Sequence, residues 1–141
     1  EKEYFFLSPE AFHQQIQADA FVEYEEVYPG MFYGTLHSEI ERIWAQGKHV
    51  VFDIDVVGGI NIKNKYPEQT CSIFIQPPNL ETLSQRLRQR NTESLEDIEM
   101  RLQKATQELA LADQFDHIIT NDNLEQAQSE LYRIVADFIN S

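Results

Sequence analysis

The chain has 141 residues, 42% hydrophobic and 11% aromatic, which is one domain's worth of packed interior and too apolar for a disordered chain. Eleven Lys and Arg face 24 Asp and Glu, a net charge of −13 that argues against non-specific binding to nucleic acid or an anionic membrane. No apolar run approaches the ~20 residues of a membrane span, and the single Cys71 excludes an internal disulfide and, with four scattered histidines, a Cys-based zinc site.

In chain order, Ser8-Pro9 reads as a helix start, Ser8 at the N-cap and Pro9 at the first position, where its missing N–H costs nothing. Phe12 and Ile16 then share a buried face. Residues 21–35 alternate apolar and polar around Pro29-Gly30, a hairpin pattern. Residues 36–46 form a helix with Leu36, Ile40 and Ile43 inward and Gly47 just past its end. Three segments read as buried strands: 49–57, 72–76 and 117–120. Helices are expected over 80–90 behind Asn79, after Ser94 with Asp97 three residues on, and after Asn123. Ile98, Leu102, Ala105 and Leu109 line one stripe of the second; Leu124, Ala127, Leu131, Ile134 and Phe138 line that of the last. Strands alternating with helices define an α/β class with a largely parallel sheet, to which the hairpin adds a small mixed β lobe.

Three places carry chemistry. Asp53 and Asp55 stand two apart near the end of the 49–57 segment, just before Gly58-Gly59, where ligands bind in parallel α/β sheets. The alternative is a strand-end pair neutralised by lysines. Glu23, with Tyr24, Tyr33 and Thr35, offers a carboxylate able to accept two parallel hydrogen bonds from guanine's Watson–Crick edge, a pair of donors that adenine lacks. Glu23, Glu25 and Glu26 also suit a solvated hairpin edge. Arg86 and Arg90 are four apart on a helix and Arg101 follows the next cap; guanidinium forks suit phosphate oxygens, and surface pairing with Glu81, Glu93 and Glu96 is the alternative. The histidines (13, 37, 49 and 117) have no metal-ligand spacing.

Taken together, EYFFLSPEAF, FVEYEEV, FYGTL, GKHVVFDIDVVGG, FIQPPNLETLSQRLRQRNTES and RLQKATQELALADQFDHIITNDNL resemble guanylate kinase over essentially the whole chain. The resemblance implies a P-loop-kinase-type parallel sheet flanked by helices, a GMP-binding lobe at about 1–35, and a core over 36–141 with a helical lid at about 86–101, all in one domain. It implies ATP-dependent phosphorylation of GMP to GDP. GMP contacts fall on Tyr4, Glu23, Tyr33, Thr35 and Asp55; ATP contacts on Arg86, Arg90 and Asn121; catalytic arginines on Arg86, Arg90 and Arg101. Asp53 would lie near Mg2+. The runner-up is a non-catalytic module of the same fold that binds phosphorylated peptides, against which the retained Glu23, Asp55 and arginines speak.

The main departures concern the start of the chain. The family opens with a P-loop strand, G-x-x-G-x-G-K-[ST], and a Thr-Thr-Arg-x-x-Arg segment, and neither motif occurs in these 141 residues. Glu1 replaces an initiating Met and EKEYFFLSPE has no signal-peptide pattern, which reads as a fragment or processed product of a cytoplasmic protein, inactive by itself. A sheet without its middle strand must be filled from outside these residues, by closure of its neighbours, or by a homodimer through strand exchange. Pro29-Gly30 lengthens the hairpin loop, and Val57 stands where the family has Gln.

Overall fold

A computed structural model describes residues 6–90 and 94–141. The chain divides into two compact units, Glu1–Pro67 and Glu68–Ser141.

The first unit begins with α1, Pro9–Gln17. Ser8 Oγ accepts the Ala11 N–H, and Pro9 occupies the first turn, so the start signals act as expected. Strands β1, Phe21–Tyr28, and β2, Met31–Leu36, form an antiparallel hairpin with Glu23 opposite Thr35, Tyr24 opposite Gly34 and Glu25 opposite Tyr33. Phe12 of α1 stacks on Phe21 at 4.4 Å and on Phe32 at 5.3 Å, which anchors the helix to the hairpin. Helix α2, His37–Ala45, follows directly, with Leu36 as its cap, and Gly47 takes the left-handed conformation beyond it at φ +70°.

Residues 49–57 correct the sequence reading. No strand forms there: residues 48–55 have no ladder partner among the described residues, and 56–57 open a helix, α3, Val56–Lys65, that the sequence reading omitted. The apolar alternation is nevertheless real. Val50 and Phe52 pack on the core of Val22, Ile40 and Ile62, while Val51 between them is 91% exposed. Side-chain alternation needs only one packed face, whereas a strand needs a neighbouring chain to take its N–H and C=O groups, and none of the described strands lies alongside. The start of α3 was legible in Asp55, whose carboxylate accepts the Gly58 N–H at 3.1 Å.

The second unit holds two parallel strands, β3, Ile73–Gln76, and β4, His117–Thr120, in register Ile73 to His117 through Gln76 to Thr120. Ser72 and Asp116 fix the start of this register. The Ser72 N–H donates to Asp116 Oδ2 and the Asp116 N–H donates to Ser72 Oγ, both at 2.9 Å. Helices α4, Leu80–Arg90, and α5, Leu95–Leu109, pack on each other, and α6, Leu124–Ile139, packs on β4. Asn79, Ser94 and Asn123 cap them as the sequence implies, each accepting the N–H three residues on. Ile119, 1% exposed, with Ala127 and Ile134, forms this unit's core. Leu124 departs from the expected inward stripe: as the first residue of α6 it is 63% exposed, and the helix meets the core from Ala127 onward.

Candidate functional site

In the first unit the hairpin and α3 bring three of the expected residues together. Glu23, on β1, is half-buried, and its Oε1 accepts the Thr35 hydroxyl across the ladder at 3.3 Å. Asp55 ends the segment before α3, its Oδ1 turned back onto the Gly58 N–H. A Cβ placed on Gly58 would lie 2.8 Å from Asp55 Oδ1 and 3.4 Å from Glu23 Oε2, so the two carboxylates converge on that glycine.

Burial disfavours a charged carboxylate, and a like charge nearby adds to this. Loss of solvation, followed by the charges of Asp55 and Glu25, raises the Glu23 carboxyl above its ordinary value; the Thr35 hydrogen bond and, last, the charge of Lys65 act in the opposite direction. A half-buried acceptor with its own negative neighbours calls for a ligand rich in N–H donors. Lys65, the last residue of α3, donates to the Phe21 carbonyl at 2.9 Å, and the Tyr66 hydroxyl meets His37 Nδ1 at 2.6 Å, so the C-terminal end of the helix is tied down.

Gly34 holds the hairpin close. A Cβ there would stand 2.8 Å from Phe21 Cδ1, 2.9 Å from the Glu23 carbonyl oxygen and 2.9 Å from Tyr24 Cβ. Only a residue without a side chain lets β2 lie this near β1, which the Glu23–Thr35 bond requires. Tyr33 and Tyr24 are exposed on the hairpin, and the Tyr33 hydroxyl contacts Met31 Sδ at 3.8 Å. Asp53 is exposed, and Tyr4 lies outside the described residues.

In the second unit, Arg86 reaches from α4 to the end of β4, where its Nη1 donates to the Asn121 carbonyl at 3.0 Å. Asn121 in turn donates its N–H to the Gln76 carbonyl at 2.7 Å. Two residues expected at one nucleotide site are thus neighbours at the carboxyl end of the parallel strands, where α/β folds bind ligands. The remaining guanidinium donors of Arg86 can take phosphate oxygens. Arg90 and Arg101 are exposed, on α4 and α5. The sequence reading missed the roles of Gly34 and Gly58, because a glycine's importance lies in what surrounds it, which only the folded hairpin and helix supply.

A parallel sheet between capped helices, a hairpin with a half-buried glutamate, and an arginine at the strand ends place the chain among the P-loop-kinase-type α/β proteins. The family profile of guanylate kinase matches residues 1–138. The chain is 49% identical over 138 residues to a guanylate kinase of Bacteroides thetaiotaomicron, covering 98% of this chain and 68% of that protein. It is 47% identical to a guanylate kinase of Porphyromonas gingivalis, covering 98% and 73%. The crystal structure of guanylate kinase from Anaplasma phagocytophilum superposes with a TM-score of 0.71 at 27% identity, over 97% of this chain and 67% of that one. The chain belongs to the guanylate kinase family.

Proposed function

We propose that these residues serve the ATP-dependent phosphorylation of GMP to GDP, as one domain in which about 1–35 bind GMP and 36–141 supply the core and lid. The observation that carries this reading is the half-buried Glu23 carboxylate, held by Thr35 and facing Asp55. Glu23 accepts the two N–H donors of the guanine edge, and Thr35 orients it; adenine offers no such pair. Asp55 fixes the nucleotide, and Tyr4 and Tyr33 donate hydroxyls to the GMP phosphate without adding charge.

Arg86, Arg90 and Arg101 face the phosphoryl group in transfer. Chemistry of this kind relies on positioning and on cations placed where charge spreads over the equatorial oxygens. Asn121, whose carbonyl already holds Arg86, borders the adenine. Asp53, an exposed carboxylate, would hold the Mg2+ that accompanies ATP. Bound there, the ion would offset phosphate charge. The phosphate cradle of a P-loop is not among these 141 residues, so this polypeptide alone binds and orients GMP without transferring phosphate. Among the described residues no helix is long and apolar enough to cross a membrane, and the acidic, single-cysteine composition suits a cytoplasmic setting. A homodimer with strand exchange finds no support and is no part of this reading.

Calorimetric titration of the chain with GMP and AMP tests it. The expected result is weak binding that prefers GMP, a preference abolished by Glu23→Gln, which turns a double acceptor into a mixed amide. Equal binding of both nucleotides by the unaltered chain would overturn it.

A further inference from the structure

Gly58 is buried in the first turn of α3 and holds no side chain where two acidic groups meet. We propose that Gly58 determines base specificity. The space left by its missing side chain is what lets the Glu23 and Asp55 carboxylates stand together, so a single methyl there removes the preference for guanine while leaving the fold in place. The proposal rests on the assignment of Glu23 as the guanine-reading group.

The geometry supports it from both sides. Thr35 holds Glu23 Oε1, which leaves Oε2 as the oxygen directed toward Gly58. On the other side, Asp55 Oδ1 takes the Gly58 N–H at 3.1 Å and sits 2.8 Å from where a Cβ would be. A separation of 2.8 Å between a methyl carbon and a carboxylate oxygen is not tolerated, and Ile54 Cδ1 at 3.2 Å closes the third direction. The carboxylate of Asp55 is the group able to yield, and yielding takes it off the Gly58 N–H that positions it beside Glu23. Alanine at this position would therefore displace a ligand group rather than the backbone.

Stability separates this role from a merely structural one. Alanine favours the helix over glycine, and loss of the Asp55 cap opposes it by a similar amount, so the melting temperature should stay within a few degrees. Specificity should not. Titrating the 141-residue chain with GMP and with AMP, Gly58→Ala should weaken GMP binding by about tenfold, the discrimination expected of a lost bidentate base contact, and leave AMP nearly unchanged. In an Asp55→Ala background, where the colliding oxygen is gone, adding Gly58→Ala should change GMP affinity by no more than about twofold, since the effect acts through Asp55.

A Gly58→Ala chain that keeps the original GMP-to-AMP ratio overturns the proposal while leaving the assignment of Glu23 intact. So does one that fails to fold, or one whose loss is the same in both backgrounds. An unaltered chain with no preference for GMP removes the assignment of Glu23, and the proposal falls with it.

Discussion

Gly34→Ala places one methyl group between the two strands of the hairpin. Its carbon would stand 2.8 Å from Phe21 Cδ1 and 2.9 Å from both the Glu23 carbonyl oxygen and Tyr24 Cβ, each about half an ångström inside ordinary contact. None of the three yields readily. Phe21 is 4% exposed and stacked on Phe12, the Glu23 carbonyl is backbone, and Tyr24 Cβ moves only with its own backbone. The strands must therefore part locally, and overpacking of this kind costs ~1–3 kcal/mol. The Glu23–Thr35 hydrogen bond, already 3.3 Å long, would stretch beyond useful range and lose about 1 kcal/mol more. The lower backbone entropy of alanine in the unfolded chain returns ~0.4–1 kcal/mol. The net loss is ~1–3.6 kcal/mol. With an unfolding entropy of about 0.3 kcal/mol/K for 141 residues, the melting midpoint should fall by about 3–12 °C. Thermal unfolding followed by circular dichroism measures this, and GMP titration should show a parallel loss of base preference. A midpoint that stays level or rises would mean that β1 and β2 are not held at the separation described, and the reasoning would fail.

The 141-residue polypeptide should release no ADP above background in a coupled assay with MgATP and GMP, because no P-loop motif lies within it; sustained turnover would refute this. GMP affinity should fall on acidification at a pH above 4.5, the ordinary value for Glu, because burial and then the charges of Asp55 and Glu25, opposed by Thr35 and Lys65, raise the Glu23 pKa and protonation removes an acceptor. The sign for stability is opposite. A raised carboxyl pKa favours the protonated fold, so Glu23 contributes stability below 4.5 that is lost as pH rises through the folded value. A binding midpoint at or below 4.5 would contradict both. Ile119→Ala, at a position 1% exposed, should cost ~2–5 kcal/mol in urea unfolding. Ile118→Ala, 41% exposed on the same strand, should cost much less, and equal losses would mean that the core is misplaced.

Local signals in the sequence determined much of this protein. Ser8, Asn79, Ser94 and Asn123 each announce a helix start, and each side chain accepts the N–H three residues on, because a cap is settled within one turn of chain. The hairpin and the strands 73–76 and 117–120 were legible for a related reason: alternation and a turn are short-range properties. Glu23, Thr35 and Asp55 were legible as polar residue types, and the fold brings the three together. Tertiary structure decided the rest. Residues 49–57 have a strand's alternation, but whether a ladder forms depends on a neighbour that the segment itself cannot specify, and here Asp55 caps a helix instead. Leu124 carries the period of a buried stripe, yet burial depends on what lies opposite. Gly34 and Gly58 matter only through atoms distant in sequence, namely Phe21, the Glu23 carbonyl and two converging carboxylates. A residue with no side chain gives no pattern to read, so only the fold around it shows which atoms its missing side chain makes room for.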